Sequence, residues 1–310
     1  MAYEKMLLRS RYCLAAVVVA LSWLSIKPAI LSAQSLIPHT LNLNFSNLEK
    51  QGLSLARDAA QLAQFQQYDL ALTRARLAVE LAPQAYQTQA VLGSIYLRKE
   101  KYKEAIVALT EANKLKVDNP GVLFALGASY LRQGSYQTAV KTLKQGLALS
   151  PKENTAIFDL GNAYFQLKSY EAAIAEYQRI LNVDQTFWAA TNNIGLIEYE
   201  RGNVDVSLKQ WQKALDVAKS LEDRGSSEPK LALAIVTYIR GDQSRGLQLG
   251  KDALNADPRY GKIEFLKENL WGDKLLSNAR IVLNNPVLKE IVESSIQLDP
   301  KRPVQLRRPR

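Results

Sequence analysis

Cysteine and histidine are almost missing from this chain: among 310 residues there is one of each, Cys13 and His39. A single thiol closes no internal disulfide, and one Cys with one His falls short of the ligand set of a usual zinc site. Metal chemistry through these side chains is excluded, and the cysteine count fits either redox compartment. Phosphate-loop, GxGxxG, HExxH, CxxC and GxSxG elements are also missing. With them go the usual sequence marks of nucleotide binding, zinc proteolysis and serine hydrolysis, so neither cofactor nor small-molecule substrate is expected. Asp and Glu are spread over exposed helical faces, and no pair stands out as an acid and base of one pocket.

Long hydrophobic runs are scarce as well. The one present, Cys13 to Ile26 (CLAAVVVALSWLSI), follows Lys5, Arg9 and Arg11 and precedes the small residues Ser32 and Ala33. This is the order of a secretory signal. Its 14 residues fall short of the ~20 that cross a bilayer, though continuation to Ala33 would reach that length. Residues 1–33 are therefore read as a cleaved signal peptide or a retained membrane anchor. The basic flank holds the amino end in the cytoplasm and sends the remainder across, to a periplasmic or thylakoid-lumen side. Residues 34–51 follow as a linker that contains His39.

The formal charge of +10 sits mostly at the two ends. Lys5, Arg9, Arg11 and Lys27 against Glu4 give one excess. Lys301, Arg302, Arg307, Arg308 and Arg310, with no acid among residues 300–310, give the other. The stretch between is close to neutral, so the charge describes the termini and not a nucleic-acid face. Nucleic-acid binding through the basic tail, or service as an enzyme's accessory subunit, is the alternative reading.

What the chain has in abundance is repetition. Gly93, Gly127, Gly161 and Gly195 fall 34 residues apart, and the same spacing carries Tyr96, Tyr130 and Tyr164, Tyr102, Tyr136 and Tyr170, and Ala105, Ala139 and Ala173. Six units follow, beginning near residues 52, 86, 120, 154, 188 and 227, the last after an insertion of five residues. Each reads as two amphipathic helices joined by a short break, with Gly161 and Ala173, for instance, allowing close approach. Ser150, Pro151 and Glu153 suggest a capping box that starts the fourth unit early.

This pattern resembles the tetratricopeptide repeat. The resemblance implies an all-α fold, a superhelical α-solenoid of about six hairpins over residues 52–260, closed by a degenerate capping hairpin at 261–298 and a disordered basic tail at 299–310. It also implies a concave face lined by the first helix of each unit. Arg98, Phe124, Arg132, Phe158, Asn162, Phe165, Asn192 and Tyr199 are the residues expected there to contact a protein or peptide partner. Val91, Ala125 and Asp159 stand where a terminal-carboxylate clamp would need Asn or Arg, which argues against capture of a chain end. The layout, with the segment FLKENLWGDKLL, is similar to membrane-associated tetratricopeptide proteins of bacteria and plastids that assist complex assembly, including photosystem assembly. A non-catalytic scaffold is the expectation, with membrane contact through the amino-terminal segment if it is kept.

Overall fold

The computed structural model describes residues 45–221 and 226–298, and among these all regular structure is helical. The amino-terminal export segment and the basic tail expected from the sequence lie outside the described residues, as do four residues of the five-residue insertion. Six hairpins follow in order: α1 (Phe45–Gln64) with α2 (Tyr68–Leu81), α3 (Tyr86–Arg98) with α4 (Tyr102–Leu115), α5 (Pro120–Gln133) with α6 (Tyr136–Leu149), α7 (Asn154–Gln166) with α8 (Tyr170–Leu181), α9 (Trp188–Arg201) with α10 (Val204–Ser220), and α11 (Ser227–Ile239) with α12 (Gln243–Ala256). A 3₁₀ turn (Pro258–Gly261), α13 (Ile263–Glu268), α14 (Asp273–Leu283) and α15 (Pro286–Leu298) complete the chain. Stacked helical pairs of this kind form an α-solenoid. Residues 45–51, read as linker from the sequence, are the first turns of α1.

The break inside every hairpin has one conformation. Gln66, Glu100, Gly134, Lys168, Gly202 and Gly241 occupy the same register, and all six take a positive φ between 57° and 104°. A left-handed residue ends the first helix and lets the chain reverse. Glycine does this without a Cβ penalty; Gln, Glu and Lys do it at a cost.

Close packing explains the 34-residue glycine. A Cβ on Gly127, Gly161 or Gly195 would come 2.6 Å from Leu143, Tyr177 or Trp211 of the second helix. The large side chain lies directly over the glycine, so hairpins close by one knob seated on one bare backbone. Ala105, Ala139 and Ala173 on the second helices are fully buried, and Ser207 takes their place in the fifth unit. The serine is accommodated because its hydroxyl donates to the Val204 carbonyl at 2.6 Å. Helix starts are less regular than expected. Asn119 caps α5 by accepting from the Val122 amide at 3.1 Å, with Pro120 at the first helical position. The capping box expected at Ser150 to Glu153 does not form: α7 starts at Asn154, Glu153 makes no capping bond, and Ser150 ends α6 instead.

Candidate partner-binding groove

First helices lie side by side, α3 touching α5 and α5 touching α7. Residues spaced three and four apart on them share one face. That face runs along α3 through Ala90, Ser94, Leu97 and Arg98, and along α5 through Phe124, Ala128, Leu131 and Arg132.

The eight expected contact residues divide by burial. Arg98, at the end of α3, is exposed and has no carboxylate partner among the described residues. Arg132 is partly covered; its guanidinium lies 4.0 Å from the Asp159 carboxylate, and its Nε is buried without a hydrogen-bond partner. Phe124 is half-buried, its ring resting on Gly146, where a Cβ would come 2.6 Å from it. Phe158 is half-buried against Tyr177 and Phe187, with ring centroids 5.6 and 5.3 Å apart. These four keep some outward surface.

The other four are engaged internally. Phe165 is buried with its ring edge-on to Tyr170 at 5.9 Å. Asn162 is buried, and its Oδ1 accepts from the Tyr177 hydroxyl at 2.7 Å and from Asn193 Nδ2 at 3.0 Å. Asn192 is buried and donates to Asn193 Oδ1 at 3.2 Å. Tyr199 is buried beside Trp211, and its hydroxyl accepts from Asn278 Nδ2 at 2.6 Å. Burial raises the pKa of Tyr177 and of Tyr199, so both hydroxyls stay protonated and available to hydrogen-bond.

The carboxyl-terminal segment accounts for part of this burial. α14 packs against α9 and α11, two first helices, and α15 packs against α12. Leu275, Leu276, Ala279 and Val282 form the buried stripe of α14. Gly272 offers no side chain to cap that helix. Glu200 of α9 supplies the cap instead, its carboxylate accepting from the Lys274 and Leu275 amides at 3.2 and 3.1 Å. Trp271, also buried, donates from Nε1 to Glu228 Oε1 at 3.1 Å. Burial pushes the Glu228 carboxyl up to about 7, against the opposing hydrogen bonds of Trp271, Asn192 and Tyr260. The inward face of the fifth and sixth hairpins is thus filled by the chain's own α14, which the repeat register alone did not reveal. The available signal was local: the amphipathic stripe of residues 275–282 following a Trp-Gly pair.

Among the described residues, no group of three or more His, Cys, Asp or Glu is placed to hold a metal ion. No described helix is long and apolar enough to cross a membrane; the run Cys13 to Ile26 lies outside the described residues.

Residues 124–186 match the family model described as tetratricopeptide repeat, and residues 64–146 match that of anaphase-promoting complex, cyclosome, subunit 3. Among solved structures, pilF of Pseudomonas aeruginosa is 16% identical, with 71% of this chain and 97% of that chain covered at a TM-score of 0.56. MamA from residue 41 onward of Desulfovibrio magneticus RS-1 is 16% identical, covering 55% of this chain and 96% of that one at a TM-score of 0.51. A further MamA structure is 21% identical, with coverages of 56% and 93% and a TM-score of 0.50. At these identities the likeness is one of fold. No curated protein matches the chain.

Proposed function

We propose that this chain, an α-solenoid whose residues 124–186 match the tetratricopeptide-repeat model, is a non-catalytic scaffold holding a partner protein along its first helices, as proteins with such repeats generally do. One observation carries the reading: over α3, α5 and α7 the inward face keeps Arg98, Phe124, Arg132 and Phe158 at least partly open, while over α9 and α11 it is filled from within. Arg and aromatic side chains are the ones most enriched among residues that dominate binding energy. The order of Lys5, Arg9 and Arg11 before the apolar run supports export or membrane attachment, and the layout together with the segment FLKENLWGDKLL is the ground for a part in assembling a membrane complex such as a photosystem. The test is purification from native membranes through a tag after Arg310, with a photo-crosslinking residue at Val91. A defined protein crosslinked from Val91 is the expected result. Co-purification that persists with no crosslink from Val91, and is lost on deleting residues 301–310, would overturn the groove in favour of the basic tail. A reporter active only after export, fused behind Arg310, is expected to give signal; activity from a cytoplasm-only reporter alone would overturn the topology.

A further inference from the structure

Six charged side chains fall at the inward-facing register positions of the six first helices: Arg57, Arg98, Arg132, Asp159, Glu200 and Glu228. The three carboxylates are all engaged. Asp159 is buried and faces Arg132 at 4.0 Å. Glu200 caps α14 through the Lys274 and Leu275 amides. Glu228 is buried beneath Trp271 and accepts its indole hydrogen. The guanidiniums are in the opposite condition. Arg57 and Arg98 are exposed, and neither has a carboxylate partner among the described residues. Arg132 shares one carboxylate and keeps a buried Nε without a partner.

We infer that the part of the groove that no described helix covers, over α3, α5 and α7, binds a partner segment bearing acidic side chains, with Arg98 and Arg132 as its anchoring pair. This rests on the reading of the inward face as the partner site and names the partner's chemistry. The cap adds to this separation of charge: α14 packs on α9 and α11, which carry Glu200 and Glu228, while Arg57 and Arg98 stay exposed. Between the arginines Ala90, Ser94 and Ala125 are partly open, and their short side chains let a peptide backbone approach while longer acidic side chains reach the guanidiniums on either side. Guanidinium pairs with carboxylate in two parallel hydrogen bonds, and two arginines one repeat apart call for two carboxylates, which side chains along a segment supply and a single chain terminus does not. Bound segments would also bury the rings of Phe124 and Phe158, which are half-buried already.

The test uses the full chain with a photo-crosslinking residue at Val91 and fluorescent peptides of about 16 residues, alike except for Glu, Gln or Lys at every second position, long enough to span two first helices. Fluorescence anisotropy gives each affinity. The Glu peptide is expected to bind, to crosslink at Val91, and to weaken as salt rises from about 50 to about 300 mM. The Arg98→Glu/Arg132→Glu double variant is expected to lose about tenfold or more for the Glu peptide and to gain the Lys peptide. Should Arg132→Glu beside Asp159 prevent folding, Arg98→Glu alone, at an exposed position, carries the same expectation in smaller measure. A Gln or Lys peptide that crosslinks at Val91 as well as the Glu peptide overturns the acidic partner and leaves the groove standing. Absence of any crosslink at Val91 overturns both. A single-stranded oligonucleotide bound more tightly than the Glu peptide, and lost in the same variants, would assign the arginines to phosphate instead.

Discussion

Glu228 shows how a residue at a regular position of a repeat can have its role hidden. Its register puts it on the inward face of α11, where solvent is expected, yet Trp271 and the 3₁₀ turn close over it. Because its folded pKa of about 7 lies above the ordinary 4.5, the folded state holds a proton that the unfolded chain releases. The sign follows: this contribution to stability is full below the unfolded value and is lost as pH rises through about 7. Glu228→Gln, neutral at every pH, is expected to melt above the parent chain at pH 8 and to lose that advantage at pH 5. Thermal denaturation of both at the two pH values checks it, and parallel pH curves would mean that the carboxyl is open to water. The left-handed residues were half legible for a related reason. Gly134, Gly202 and Gly241 announce their turns, whereas Gln66, Glu100 and Lys168 adopt the same φ because the hairpin on either side over-determines it.

At the scale of elements, the hairpins were readable because one geometric demand recurs every 34 residues: a glycine beneath Leu143, Tyr177 or Trp211 leaves little freedom of choice. The cap has no copy elsewhere in the chain, so no self-comparison could place α14 against α9 and α11. Its anchoring is testable at Glu200. Removal of the borrowed helix cap by Glu200→Ala is expected to cost about 1 kcal/mol, the usual worth of such a cap. Hydrogen exchange should show it locally. The Lys274 and Leu275 amides are expected to lose protection while α5 and α6 keep theirs; equal loss throughout would mean that the cap and the array open as one unit.

For the whole molecule, the cap decides how much apolar surface the array presents. Leu231 and Ile235 of α11 and Leu196 of α9 are buried in one core cluster with Leu275, Leu276, Ala279 and Val282 of α14. A chain ending at Lys262 would bring these side chains to water, at roughly 25 cal/mol for each Å² exposed. Such a chain is expected to bind a hydrophobic dye, to melt below the parent and to associate as its concentration rises, as followed by dye fluorescence, circular dichroism and sedimentation. A truncated chain that stays monomeric and dark to the dye would mean that the repeats close their own face. The energetic weight of this region appears only once α14 is seen seated against α9, as in the hydrogen bond of the Leu275 amide to Glu200, 75 residues earlier in the chain.

Leu288 of α15 is fully buried, and its methyls lie where a Cβ on Gly250 of α12 would meet them at 3.1 Å. Stacked repeats extend by the same kind of contact that joins each hairpin to the next, so a bare final hairpin is chemically a growing end, able to accept the first hairpin of another copy and propagate a fibre. Here α15 acts as a chain terminator in the polymer sense: it occupies the propagating edge with residues of the same molecule. Growth by addition at α12 is blocked before a second molecule arrives.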